Sequence, residues 1–438
     1  MTIADLLASF DAARAGAEMH GLMEELFPVP RSITGDGLRA TLKRVAGAVP
    51  LTLHEVPTGT PVFDWTVPRE WNLRDAYVAD PSGRRWIDAR RSTLHVVGYS
   101  IPVRARLSLA ELRPHLHALP EHPTRVPFRT SYYRETWGFC LSQQQLDRLP
   151  DGEYEVVIDA TLADGSLTYG EWLHEGERRE EILISTHCCH PALANDNLSG
   201  IALATALGKR LARCRTRYSY RFLFIPGTIG SITWLARNQG TARRIAHGLV
   251  VVCVGDAGRL TYKKTRRGDA ELDRVVAHVL RESRKDHEVV EFFPWGYDER
   301  QYSSPGFNLP VGSLSRTPHG KYPEYHTSAD DLAFVRPESL ADSLATYLEI
   351  LAVLEGNQRY RSTNPKCEPQ LGKRGLYRAV GGQPGMPEEL PLLWMLNLAD
   401  GQHTLLEVAE RARLPFADVR RAADALVAAG LLVEDGSR

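Results

Sequence analysis

Three short apolar runs set the strongest limit on how this 438-residue chain can fold. They are EILIST (181–186), YRFLFIP (220–226) and GLVVVCV (248–254). Each is too short for an ordinary helix and lacks the strict alternation of a strand with one wet face. Continuous runs of this kind suit strands covered on both sides. Helical patterns follow them. LSGIALATALGKRLA comes after the first run. After the third, ELDRVVAHVLRES sets Leu272, Val275, Val276 and Val279 on one face. PESLADSLATYLEILAVLEG opens on Pro337 and carries Leu340, Leu344, Tyr347, Leu351 and Leu354 as a stripe. Strands alternating with helices predict an α/β domain with a largely parallel sheet.

The flanks read differently. Residues 4–48 show helical spacing, broken once by FPVPRSITGDG, and residues 1–58 are expected to form a helical N-terminal part of the α/β domain. Residues 59–130 hold prolines, aromatics and β-prone runs such as LHVVGYSIPV, which predicts a β-rich inserted subdomain. EYEVVIDATL is a further strand candidate, and the α/β domain is expected over 131–360. A stretch rich in Gly, Pro, Lys and Arg, 361–385, reads as a linker. Over 386–438 come a helical PLLWMLNLA, a helix start where Thr404 and Glu407 form a capping box, LPFADVRRAADALVAAG, and a β-prone LLVEDG. This tail resembles a winged helix.

Composition excludes several classes of function. The formal net charge is -1, so no bulk field favours nucleic acid or membrane. The tail helix holds Arg420 and Arg421 but also Asp418 and Asp424, too few unopposed bases for DNA binding. Packing against the rest of the chain or a homodimer contact is the expected use of the tail. No apolar run approaches the ~20 residues of a membrane helix. MTIADLLASFDAARAG lacks the basic and apolar regions of a secretory signal, and the six scattered cysteines show no disulfide framework. A cytoplasmic location is expected. KKTRRG (263–268) reads as a solvated basic loop, with an acidic or phosphorylated substrate as the alternative.

ISTHCCHPALANDNLSG (184–200) carries the chemistry. It joins the end of a predicted strand to the start of a predicted helix, the edge where open α/β sheets bind ligands. His187, Cys188, Cys189, His190 and Asp196 are of the types that bind zinc.

NDNLSG resembles a signature of the co-catalytic zinc aminopeptidases, whose relatives include the glutaminyl cyclases. The resemblance implies a zinc-peptidase-like α/β/α sandwich that holds one or two zinc ions, with His187 as the first ligand and Asp196 as the acid that bridges two metals in the family. PEYHTSADDL is similar to the family's last ligand segment and implies His326 as a ligand, followed by Thr327, Asp330 and Asp331. GYDERQY resembles a Gly-Ser-Asp-His segment and puts Asp298 in a supporting role. GDAG offers Asp256 as a further metal ligand. The whole layout, with WTVPREWNLRDAYV, LHVVGYSIPV and SSPGFNLPVG, is similar to a bacterial group of aminopeptidase-like proteins.

The chain departs from the aminopeptidases after YRFLFIP, where they carry a Glu-Glu pair. No acid lies between Arg221 and Arg237, and Gly227 or Thr228 stands about where the pair belongs. Asp298, Glu299 and Glu324 are then the candidates for a general base. Tyr297, Tyr302 and Tyr325 are candidates for stabilising an oxyanion, Tyr297 and Tyr302 also for substrate binding beside His190. The implied function is zinc-dependent hydrolysis of an amide or peptide bond in a small or short-peptide substrate. Open alternatives are a single-zinc cyclising or acyl-transfer enzyme, and a non-catalytic binding protein on the same scaffold.

Overall fold

The structure is a computed structural model that describes residues 1–376 and 389–435. It divides into two compact units, Met1–Asp273 with Lys285–Tyr347, and Arg274–Arg284 with Leu348–Arg438. No helix among the described residues is long and apolar enough to cross a membrane.

The first unit opens with α1 (Ile3–Ala8), α2 (Ala12–Leu26) and α3 (Asp36–Ala46). Asp11 caps α2, its side chain accepting from Arg14 N at 3.0 Å. After β1 (Thr52–Pro57), the chain builds β2 (Glu70–Ala79), β3 (Arg85–Asp88), β4 (Val103–Ser108) and β5 (Glu153–Ala163). These four pair antiparallel in the order β3–β2–β5–β4. The insert therefore runs past the expected boundary at 130. The reason is visible in β5: Tyr154, Val156, Ile158 and Ala160 are buried at alternate positions, and of the residues between them only Val157 is also buried. That is the signature of a sheet with one covered face, not of a strand buried on both. LHVVGYSIPV, expected as a strand, forms a 3-10 turn at Thr93–His95 and isolated bridges instead. Tyr99 sits there at φ +67°, which no ladder tolerates.

The large sheet then takes shape from β6 (Ser166–His174), β7 (Glu181–His187), β8 (Ser219–Ile225), β9 (Ile245–Val251), β10 (Leu260–Lys263), β11 (His287–Val290) and β12 (Val311–Ser315). Its order is β1–β6–β8–β7–β9–β12–β10–β11. The four middle strands β8, β7, β9 and β12 are parallel, and antiparallel pairs flank them. Every residue of β7 and β8 is buried, as their continuous apolar runs require. Two charged residues, Arg221 in β8 and Glu181 in β7, are buried among them. Arg221 reaches Glu181 through two hydrogen bonds of 2.6 and 2.9 Å, a bidentate pair that neutralises both charges inside the sheet.

Helices α4 (Gly200–Leu211), α5 (Ile229–Arg237), α6 (Glu271–Glu282), α7 (Glu299–Tyr302) and α8 (Pro337–Gly356) complete the alternation. The predicted stripes on α6 and α8 are buried throughout. Gly200 has a specific reason to lack a side chain. A Cβ there would lie 2.6 Å from Val251 O and 2.4 Å from Asn197 Oδ1. The small residue lets the start of α4 press against the end of β9.

In the second unit, β13 (Arg359–Ser362), β14 (Asp400–Thr404) and β15 (Leu432–Glu434) form an antiparallel sheet in the order β14–β13–β15. Beside it stand α9 (Leu390–Leu398), α10 (Leu405–Ala412) and α11 (Phe416–Ala428). The predicted capping box is formed at Thr404 and Glu407. β13 uses residues expected in the linker, and residues 377–385 of that linker lie outside the described residues. So do 386–388 and 436–438 of the expected winged helix.

Candidate metal centre

β7 delivers His187 at the C-terminal edge of the sheet. Asp196 reaches it because the backbone leaves helical geometry just before α4, at Asp196 (φ -111°) and Asn197 (φ -144°). Buried polar groups hold that irregular segment. Asp330 accepts from Asn195 N at 2.5 Å and from Asp196 N at 3.0 Å. Ser199 Oγ donates to Asn195 O at 2.6 Å, and Asn195 Oδ1 accepts from Gly255 N at 2.9 Å. Each of these backbone groups lies where water cannot serve it, so the side chains are obligatory partners.

The result is a convergence of potential ligands. His187 Nε2 is 2.9 Å from Asp196 Oδ1 and 3.0 Å from His190 Nδ1. His190 Nδ1 is 3.6 Å from the same oxygen. Among the described residues, His187, His190 and Asp196 are the one group of three whose ligand atoms lie within 4.8 Å of one another. The spacing suits zinc. Ligands at ~2.0–2.1 Å in a tetrahedron stand about 3.3 Å apart, and the three edges here bracket that value. The donor set, imidazole and carboxylate with no thiolate, leaves a fourth position for water or substrate.

The other carboxylate oxygen is occupied differently. Asp196 Oδ2 lies 3.0 Å from His326 Nε2 and accepts from Tyr297 OH at 2.7 Å. Tyr297 stacks on His187 at 4.5 Å between ring centroids, and Tyr325 stacks on His326 at 3.9 Å. The two tyrosine hydroxyls are 3.0 Å apart. His326 takes a left-handed backbone conformation, φ +54°, rare for a residue with a Cβ and met mostly where the surroundings enforce it. Its carbonyl is pinned by Phe128 N at 2.8 Å.

Electrostatics separate these groups. Burial opposes the Asp196 charge, but His190, His187 and His326 hold its carboxyl well below the usual range. Burial lowers His190 and His326, which favours their neutral, ligating forms. Burial raises Tyr297 far above its ordinary value, so it stays a hydrogen-bond donor. Burial also raises Asp330 to about 8 and Asp298 to about 7.

The remaining predicted site residues lie elsewhere. Asp256, expected as a ligand, is spent on four other donors. Oδ1 accepts from Gly258 N and Thr317 Oγ1, each at 2.6 Å. Oδ2 accepts from Asn195 Nδ2 at 3.0 Å and Thr317 N at 3.1 Å. Glu299, a candidate base, is ion-paired with Lys263 and accepts from Tyr297 N at 3.1 Å. Glu324 faces Arg125 at 3.5 Å. Tyr302 is fully buried and bonded to Ser185 Oγ at 2.9 Å, so it meets no substrate. Asp298 accepts from Ser231 Oγ at 2.7 Å, and its Oδ2 is buried without a partner. A Cβ on Gly227 would lie 3.4 Å from that oxygen and 3.0 Å from His187 Cβ. Asp298 is thus packed behind Gly227, close to the imidazole of His187 but out of solvent.

A cavity of about 380 Å³ opens over the cluster. His187, His190, His326 and Tyr297 line it, together with Gly227, Thr228 and an aromatic wall. Among the described residues no Asp or Glu lines it, and Arg300 is its one formally charged residue apart from the histidines. Sequence reasoning missed Asp330 as the brace of Asp196 and Arg300 as part of the cavity. Both stand inside the motif segments, next to residues that were singled out.

A family model described as a domain of unknown function, DUF4910, matches residues 20–357. The chain belongs to the DUF4910 family. A second model, winged helix-turn-helix, matches residues 358–434, which accounts for the second unit's three helices and small sheet. A protein of Clostridium acetobutylicum is 52% identical over 96% of this chain and 97% of its own length. Its provisional name is polysaccharide biosynthesis protein with aminopeptidase-like domain. A crystal structure of a protein from Clostridium acetobutylicum, provisionally described as a peptidase, is 49% identical and superposes with a TM-score of 0.95, covering 99% of this chain and 100% of that one. A zinc aminopeptidase from Bacillus subtilis shares the fold at 11% identity, with a TM-score of 0.57 over 79% of this chain and 95% of its own. This DUF4910 chain therefore has the aminopeptidase fold, followed by a winged helix.

Proposed function

We propose that this DUF4910 chain is a zinc-dependent hydrolase of an amide or peptide bond in a small substrate. One observation carries the reading: His187 Nε2, His190 Nδ1 and Asp196 Oδ1 stand at three corners of a zinc-sized tetrahedron beneath a cavity. These three residues would hold one ion. When bound, zinc supplies Lewis acidity and a water whose pKa is lowered toward ~7.

The chain's own residues do the rest. Asp196 uses Oδ1 toward the ion and Oδ2 toward His326 and Tyr297, which fixes its orientation. His326 moves the proton. It is the imidazole bonded to Asp196 Oδ2, it lines the cavity, and burial keeps it neutral and able to accept. It takes the proton of the attacking water and returns it to the leaving amine. The pair of His326 and Asp196 thus replaces the Glu-Glu base that Gly227 and Thr228 do not supply. Asp298, behind Gly227, supports the site from below as a buried acid. The relative's name, carried over to this chain, would put the amide on a saccharide precursor.

A second reading keeps the same site and changes the acceptor. The single ligand cluster and the absence of any carboxylate along the cavity suit an acyl transfer to a nucleophile within the substrate, which cyclises it.

The test is zinc per chain in freshly purified protein, compared with His190→Ala and His326→Ala. We expect one zinc in the wild type and in His326→Ala, and none in His190→Ala. Protein that takes up no zinc even when it is offered sinks the reading. Two zincs lost together in His326→Ala would move His326 into the ligand set.

A further inference from the structure

Arg300 stands in the cavity wall with no ion-pair partner within 4 Å among the described residues. It lies on α7, directly after Glu299, yet Glu299 is committed to Lys263. Its Nε is buried with no hydrogen-bond partner, and it makes no ion pair with any described residue. The two acids that precede it in sequence are bonded elsewhere, Asp298 to Ser231 and Glu299 to Lys263. A guanidinium left half-sequestered and unpaired is costly. Proteins keep such a group where a ligand completes it.

The rest of the cavity narrows the ligand. Among the described residues Arg300 is the one formal cation of the wall apart from the histidines and no acid lines it, so one negative charge balances the guanidinium. A guanidinium fork matches the two oxygens of a carboxylate. The same cavity is lined by exposed aromatic side chains that water does not favour. Trp295 is 70% exposed, and Trp65 and Tyr133 are each 48% exposed with ring centroids 5.5 Å apart. Rigid aromatic faces at a cavity mouth receive an apolar or ring-shaped part of a ligand.

We propose that Arg300 anchors a carboxylate of the substrate, so that the site accepts small amides bearing one free acid group and an apolar or ring portion. The proposal rests on the hydrolase reading for the word substrate, but the anchoring itself does not require turnover.

The experiment compares hippurate with hippuramide, which differ only in the acid group, by calorimetric titration of the full-length zinc-loaded protein. Wild type, Arg300→Gln and Arg300→Lys are titrated, with zinc content measured on each sample. We expect wild type to prefer hippurate by about tenfold or more. Arg300→Gln abolishes that preference at unchanged zinc content, and Arg300→Lys retains part of it. Zinc also attracts carboxylates, so the titration is repeated on chelator-stripped protein, where the preference and its dependence on Arg300 persist. A preference that survives in Arg300→Gln, or that disappears with the zinc, overturns the proposal. So does wild type that binds neither probe or binds both equally. Inorganic phosphate displacing hippurate with equal strength would overturn the carboxylate assignment. Wild type that binds no zinc but keeps an Arg300-dependent preference would sink the hydrolase reading and leave this one standing.

Discussion

Asp196 and Asp256 are both buried and both follow parallel strands of the same sheet, yet their surroundings differ in kind. Asp256 has four donors, two from backbone N–H groups and two from neutral side chains. Its charge is absorbed by groups that never titrate, and it works as a latch joining Asn195 to Thr317. Asp196 faces three imidazoles and a phenol, with one backbone N–H of its own tied to Asp330. Its Oδ1 has only imidazole nitrogens around it, and a cation can replace the protons between them. A buried carboxylate is a candidate ligand when its neighbours are themselves donors to a metal, and a structural latch when they are amides and hydroxyls. Asp298 shows a third condition, with one donor and one bare oxygen. Burial then drives the proton onto it.

The sharpest way to break this contrast is to make the same change at both aspartates. Asp196→Asn should lose zinc and activity, the latter by ~10²–10⁴, with the fold intact by circular dichroism. Asp256→Asn should keep its zinc and lose stability. If zinc analysis shows Asp256→Asn empty and Asp196→Asn full, the roles are exchanged and the contrast fails.

Asp298 gives a pH test. Its carboxyl is raised from 3.8 to about 7, so the folded state holds a proton that the unfolded state has released between those values. Stability therefore falls as pH rises from about 4 to 7, and the full cost of roughly 4 kcal/mol is present above pH 7. Asp298→Asn removes the titration. In urea unfolding it should gain on the wild type steadily between pH 4 and pH 8, and a gap that does not change with pH would refute the assignment.

Asp256→Asn returns as a stability measurement. The variant swaps an acceptor for a donor against four donors, and should cost about 1–3 kcal/mol by urea midpoint. A neutral outcome would mean that Asn195 and Thr317 need no latch.

Tyr297→Phe leaves the stack on His187 and removes the hydroxyl on Asp196 Oδ2. We expect zinc affinity to weaken by about 10–100-fold in competition with a chelator. An unchanged affinity would show that His326 alone orients the carboxylate.

The smallest effect is expected in the second unit. Thr404→Ala removes the cap of α10 and should lower stability by about 1 kcal/mol, with zinc content untouched. Loss of zinc in that variant would show that the second unit supports the site.

The chain alone disclosed much of this. The apolar runs at 181–186 and 220–226 became fully buried strands, and the stripe from Leu340 to Leu354 became a buried helix face. Such patterns are local, and burial follows from them whatever the details of topology. His187 and Asp196 share the segment that leaves β7, and His326 lies in a second motif within the long loop between β12 and α8. EYEVVIDATL was legible as a strand but not as a member of the insert, since pairing partners leave no mark in one strand's residues. The direction of each acid was also hidden. Asp256 and Glu299 stand beside the site in sequence, but hydrogen-bond partners from distant segments, Thr317 and Lys263, turn them to other work.

Residue order by itself therefore determined the strands, the helices and which short segments carry ligand-type side chains. Those follow from apolar period and backbone preference within a few residues. Only the tertiary structure decided which carboxylate stays free to ligate, which histidine joins it, and that Arg300 faces a cavity with no partner. Those outcomes depend on which donors arrive from residues ~60–130 positions away in sequence, and a buried polar group takes whichever partner the packing provides.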